Sequence, residues 1–167
     1  MRNCKTLFHP FPPVFDARSR VLILGTFPSP RSRETGFYYG HPQNAFWRTL
    51  ARVLDVPEPA PDAPAKTAFL LKNRVAVWDV LRSCEIDGAA DDSIRNPVPN
   101  EFRPIIEKSE IRAVFTTGKK ATELWGSLAS HESGMTAIYL PSTSPANRGR
   151  HNTAEFWERW SRLRRYL

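Results

Sequence analysis

The sequence predicts an α/β fold in three layers, α/β/α, with helices on both sides of a central four-stranded parallel sheet. Two observations carry this. Residues 21–24, 75–78, 113–116 and 137–140 are short apolar runs without polar alternation, the pattern of strands covered on both faces. Helix-like segments separate successive runs, and strands alternating with helices imply right-handed crossovers between parallel neighbours.

The helices have readable ends. Asn100 is placed to cap a helix carrying Phe102, Ile105 and Ile106, and a further helix over residues 119–128 follows the turn residue Gly118. Asn152 or Thr153 can cap the last one, in which Phe156, Trp157, Trp160, Leu163 and Leu167 recur at helical spacing. Arg159, Arg162, Arg164 and Arg165 lie mostly off that stripe, which reads as core. Residues 56–64 carry prolines at 57, 59, 61 and 64 and are expected to form a surface loop, because proline lacks the amide donor and restricts its predecessor.

A chain of 167 residues fits one domain over 1–167, large enough for a core without disulfides or a structural metal. Lysine and arginine number 24 against 17 acidic residues, a net charge of +7 that favours a polyanionic partner. Cys4 and Cys84 are single and far apart, so they make neither a disulfide framework nor a metal knuckle. Asp91 and Asp92 are the only adjacent acidic pair and lack a second cluster at metal-binding spacing; they read as a solvated turn, and no metal site is expected. No apolar run approaches the roughly 18 residues of a membrane span, and residues 1–13 lack a signal-peptide core. A cytoplasmic monomer is the expectation.

In open α/β sheets ligands bind beyond the carboxyl ends of the strands, which directs attention to the loops there. The first strand runs into Gly25-Thr26-Phe27-Pro28-Ser29-Pro30 and the fourth into Pro141-Ser142-Thr143-Ser144-Pro145-Ala146-Asn147. Two rigid, hydroxyl-rich loops on one sheet edge can hold phosphates on either side of a nucleotide, although either alone reads as a proline-stiffened turn. Between them, residues 36–50 gather aromatics, two glycines, His41, Gln43 and Asn44 just before an amphipathic helix. Aromatic faces can stack on an extruded base, and amides can position a water or read a base edge; Phe46 and Trp47 read rather as the start of the helix core.

The blocks at residues 25–29, 36–47 and 141–147 resemble those of the uracil-DNA glycosylase superfamily, nearest its hypoxanthine-DNA glycosylase branch. The combination of His41-Pro42-Gln43-Asn44-x-Phe46-Trp47 with a distant Pro141-Ser142-Thr143-Ser144-Pro145-Ala146-Asn147 is specific, and the likeness runs from about Val21 to the final helix. The resemblance implies a uracil-DNA glycosylase-like fold and a monofunctional enzyme of base excision repair. Such an enzyme hydrolyses the N-glycosidic bond of a deaminated base in double- or single-stranded DNA. In the mismatch-specific uracil glycosylases the first loop carries a water-positioning asparagine; the matching position here is Phe27. The hypoxanthine branch takes that amide from the following block, which falls on Asn44 and makes it the catalytic candidate.

The resemblance places Tyr39 where an aromatic ring stacks on the flipped base; Phe27, His41 and Asp79 are further base-contact candidates, Asp79 as an acceptor from a base amide. Ser142, Ser144 and Asn147 fall in the loop that approaches the DNA backbone, and Ser29 would pinch from the opposite side. Lys119 is a phosphate-contact candidate; a lyase would need such an amine as nucleophile, and helix solvation or phosphate contact accounts for it more economically. Asp79 can equally set a helix cap, and His41 can equally contact a phosphate or its own loop. Two branches of the superfamily hold an iron–sulfur cluster with four cysteines, and the two present here point instead to an enzyme without a cofactor. Three alternatives remain open from the residues: a uracil or xanthine preference, a non-catalytic module that binds damaged DNA, and, least favoured, a metal-dependent nuclease.

Overall fold

The four expected strands pair in parallel through continuous backbone ladders. The computed structural model describes residues 5–167, which leaves Cys4 outside the described residues. In chain order the strands are β1 (Thr6–Phe8), β2 (Val21–Gly25), β3 (Val75–Asp79), β4 (Leu81–Glu85), β5 (Arg95–Pro99), β6 (Ala113–Thr117) and β7 (Ala137–Leu140). The helices are α1 (Pro30–Thr35), α2 (Phe46–Leu54), α3 (Ala63–Lys72), α4 (Arg103–Glu107), α5 (Lys119–Leu124), α6 (Ser130–Ser133) and α7 (Ala154–Ser161). Strands β3-β2-β6-β7 lie in that order in the parallel sheet, with Val21 opposite both Val75 and Ala113.

Each central strand is apolar on both faces because both are covered. Val21, Ile23, Val77 and Phe115 point to one side, where Phe46 and Leu50 of α2 and Phe156 and Trp160 of α7 pack on them. Leu22, Leu24, Ala76 and Val114 point to the other, against Phe102, Ile105, Leu124 and Trp125. Residues 21–24 are 0% exposed, and burying each such side chain contributes about 1.5–3 kcal/mol before the entropy of ordering is offset.

Thr153 caps α7 by accepting the Phe156 N–H at 3.3 Å, as expected of one of the two candidates. The Trp160 indole donates to the Pro141 carbonyl at 3.1 Å, so α7 is fastened to the loop that leaves β7. The helix after Gly118 runs as α5 over Lys119–Leu124, then as a wider π turn over Trp125–Ala129 before α6.

Three expectations need correction. Asn100 does not cap α4, which has no side-chain cap; its Nδ2 donates instead to the Asp79 carbonyl at 2.9 Å. The proline-rich loop is two residues shorter than expected: Asp62 caps α3 through Oδ1 and the Ala65 N–H at 2.9 Å, and Pro64 occupies the first turn, where its missing donor costs nothing. A second sheet, antiparallel and ordered β1-β4-β5, was not anticipated. Its strands have weak signals, since β1 is only three residues long and β5 carries two prolines, tolerated because it lies at an edge.

This second sheet extends the first. β4 begins two residues after β3 ends, and the chain between β1 and β2 bridges back to β3, with Val14 and Val77 exchanging hydrogen bonds at 3.0 and 2.9 Å. The N-terminal segment thus pairs at Val14 with β3, one of the two edges of the parallel sheet. Among the described residues no helix is long and apolar enough to cross a membrane.

Trp160→Ala removes a fully buried ring and the bond to Pro141, and it is expected to lower unfolding free energy by about 3–5 kcal/mol in urea denaturation. A loss below 1 kcal/mol would show that α7 is not anchored as described.

Candidate active site

Because β2 lies between β3 and β6, the chain leaves β2 toward one neighbour and later returns on the other side, which opens a crevice at the strand ends. A cleft of about 610 Å³ occupies that position, within the range of small-molecule and base pockets. Gly25, Asp79 and Thr117, the last residues of β2, β3 and β6, form its floor.

Gly25 is required there by its neighbours. A Cβ on it would lie 2.5 Å from Asp79 Oδ1 and 3.3 Å from Tyr39 Oη, so any side chain would displace the carboxylate. Tyr39 itself has φ +50°, in the left-handed region, and its ring lies parallel on Phe46 with centroids 3.8 Å apart. Its hydroxyl is 3.3 Å from Thr117 Oγ1. Burial, reinforced by the charge of Asp79, pushes the Tyr39 phenol well above the usual tyrosine range, so it stays protonated.

Asn44 sits at the entrance to α2. Its Oδ1 accepts the Phe46 N–H at 2.9 Å, which fixes the amide, since a backbone N–H can only donate. The Asn44 N–H donates to His41 O at 2.9 Å, and the next amide, Ala45 N–H, donates to Thr143 O at 3.0 Å. That last bond ties the aromatic block directly to the loop after β7.

The two strand-end loops are internally braced. Ser29 caps α1 by accepting the Ser32 N–H at 3.1 Å, Ser142 Oγ accepts the Ser144 N–H at 3.1 Å, and Ser144 Oγ accepts the Ala146 N–H at 3.3 Å. The Ser142 carbonyl receives both Asn147 Nδ2 at 2.8 Å and His151 Nε2 at 3.2 Å. Burial, with a smaller contribution from Arg48, lowers the His151 pKa below the usual histidine value.

Eight sequence candidates line this single cleft: Phe27, Ser29, Tyr39, His41, Asn44, Asp79, Ser142 and Ser144. His41 also serves its own loop, its Nδ1 accepting the Gln43 N–H at 3.0 Å. Asn147 and Lys119 are not among the lining residues: Asn147 directs its amide to the Ser142 carbonyl, and Lys119 is exposed at the start of α5. Asp91 is exposed in a short turn, as its reading as a solvated turn expects, and it has a second setting as well. It lines the cleft beside Thr26, whose hydroxyl is 3.5 Å away, and desolvation raises its carboxyl above the usual range.

Sequence reasoning missed His9. Its Nε2 lies 2.7 Å from Asp79 Oδ2, with both side chains nearly sealed from solvent at 3% and 7% exposure. A lone histidine among N-terminal prolines carries no pattern; only the pairing of β1 with β4, continued by the His9 N–H to Arg82 O bond at 2.8 Å, brings it to the floor.

Residues 12–164 match the family model described as the uracil DNA glycosylase superfamily. The chain belongs to that superfamily. Two relatives named hypoxanthine DNA glycosylase, from Methanosarcina barkeri and Methanosarcina acetivorans, are 32% and 34% identical over 139 and 141 residues, in each case 83% of this chain and 87% of the relative. The solution NMR structure of a candidate uracil DNA glycosylase from Methanosarcina acetivorans superposes with a TM-score of 0.75 at 29% identity, covering 92% of this chain and 93% of that one. The fold is therefore that of the superfamily, the chain is a DNA glycosylase, and its substrate is DNA.

His151 gives the glycosylase a pH dependence. With its folded pKa below the unfolded value of about 6.5, the unfolded chain binds more protons in that range, so stability falls as pH drops below about 6.5. Chemical denaturation between pH 7.5 and 5.5 should show this decline, and His151→Gln, which keeps a donor for Ser142, should flatten it.

Proposed function

We propose that this glycosylase releases hypoxanthine from deoxyinosine in DNA, hydrolysing the N-glycosidic bond and leaving an abasic site. One observation carries the reading: Asn44 lines the same cleft as both strand-end loops, with its amide held by the Phe46 N–H. The names of the two Methanosarcina relatives support hypoxanthine as the base.

Breaking the bond places positive charge on the sugar and negative charge on the departing base. Asparagine cannot take a proton from water, so the bond must be largely broken before water attacks. The second lone pair of Asn44 Oδ1 is available to orient that water at the sugar. Ser29 on one loop and Ser142 and Ser144 on the other flank the cleft where the DNA backbone passes. A flipped base has two aromatic walls within reach, Phe27 and Tyr39. Since Phe46 occupies one face of Tyr39, a base stacks on the opposite one.

Incubation of duplexes carrying deoxyinosine, deoxyuridine or deoxyxanthosine in EDTA, followed by alkali, tests the reaction directly. Strand breaks are expected at deoxyinosine first, and inertness on all three would reject the enzymatic reading. Asn44→Ala should slow single-turnover base release by about 10²–10³-fold, the scale of losing one preorganised polar group, while lesion binding stays close to wild type. A near-normal rate in that variant would remove Asn44 from the mechanism.

Stacking on Tyr39 is worth about 1–3 kcal/mol, so Tyr39→Ala should weaken lesion binding roughly 5- to 150-fold as well as the rate. Binding of every duplex should weaken as salt rises, in keeping with the +7 charge. Fluorescence anisotropy on lesion and undamaged duplexes separates the two effects; an unchanged lesion preference in Tyr39→Ala would reassign the stacking wall to Phe27.

A further inference from the structure

The buried His9–Asp79 pair lies in the floor of the cleft and is not used by the water-positioning step. Its two carboxylate oxygens are in different situations. Oδ2 is bound by His9, whereas Oδ1 is the atom that a Gly25 Cβ would meet at 2.5 Å, on the side where Tyr39 Oη also approaches. Gly25, Tyr39 and Asp79 all line the cleft, and among the described residues the Asp79 carboxylate has a hydrogen-bond partner only at Oδ2, which leaves Oδ1 for the cleft's contents.

Four aromatic rings pack around the His9 ring, with centroids at 5.1 Å (Phe11), 5.9 Å (Tyr38), 6.1 Å (Phe27) and 6.4 Å (Trp78) from the imidazole. The Phe11 N–H points at His9 Nδ1 at 3.4 Å. An amide N–H only donates, so Nδ1 is the acceptor and the ring proton resides on Nε2, which donates to Asp79. An imidazole in that tautomer holds Asp79 through Oδ2 and leaves Oδ1 to act as an acceptor.

Deamination of adenine changes one ring atom in a way such an oxygen can read. N1 of adenine is a lone pair; N1 of hypoxanthine carries a hydrogen. We propose that His9 is a positioning residue for base selection, holding Asp79 so that Oδ1 accepts the ring N–H created by deamination and repels the unmodified base. The inference rests on the reading of this cleft as the base-release site and assigns a selective role to a residue that does not touch the base.

The test compares duplexes carrying deoxyinosine with duplexes carrying deoxynebularine, a purine nucleotide whose N1 is a lone pair. Discrimination is measured both as base release, with KM and kcat separated, and as equilibrium binding of the uncleaved duplex. His9→Leu should lower the preference for deoxyinosine by about tenfold or more, mainly through KM and binding, the scale expected when a buried polar contact is misaligned. His9→Gln, which keeps a donor near the Nε2 position, should retain the preference within about threefold. Asp79→Asn should also erase it, and His9→Leu combined with Asp79→Asn should discriminate no worse than Asp79→Asn alone.

A folded His9→Leu variant with wild-type discrimination overturns the proposal, as does a folded His9→Gln no better than His9→Leu. Should His9→Leu fail to fold, His9→Gln is compared with His9→Asn, whose amide falls short of Asp79; equal discrimination overturns the proposal and loss confined to Asn supports it. Wild-type protein that binds deoxyinosine selectively but releases no base rejects the enzymatic reading, while the binding data still decide the role of His9.

Discussion

A missing side chain at Gly25 holds the cleft together. The parallel sheet buries apolar residues along the whole of β2, β3 and β6, so polar groups can gather only where these strands end. There the ladder sets Gly25 beside Asp79, and only hydrogen at Cα leaves room for a carboxylate and a phenol to approach the same point. A small backbone feature in the middle of the sheet thus decides which chemistry the floor can present.

Around that floor, each wall is fixed by bonds to backbone groups that have one possible polarity. The Phe46 N–H sets the amide of Asn44, the Thr143 carbonyl receives the Ala45 N–H, and the Ser142 carbonyl is gripped from two sides by Asn147 and His151. Because these donors and acceptors cannot exchange roles, side chains from distant parts of the chain hold fixed orientations without a ligand to organise them. Preorganisation of this kind lowers the reorganisation that a reaction would otherwise require.

The parallel sheet was readable because its strands obey one rule, apolar on both faces, and the loops that follow them concentrate glycine, proline and hydroxyl residues. The alternation of Val21 and Ile23 against Leu22 and Leu24 agrees with that rule, and Thr153 was legible separately as a capping residue. The antiparallel sheet was not readable, for physical reasons: β1 is too short for a period to show, β4 mixes buried serine and cysteine with exposed arginine, and β5 holds prolines that argue against a strand. Asn100 could cap a helix by type, yet the Asp79 carbonyl is the acceptor it reaches. Asp91 is exposed as expected, but nothing in its neighbourhood of sequence reveals that Thr26, 65 residues earlier, stands beside it at the cleft.

The strand that delivers His9 lies ahead of the parallel sheet, and the superfamily match starts only at residue 12. A fragment trimmed to that matched region would keep the sheet and both strand-end loops, but would lose the imidazole beneath the carboxylate. Protein engineers who regard the leading residues as dispensable would be editing the floor of the cleft from below.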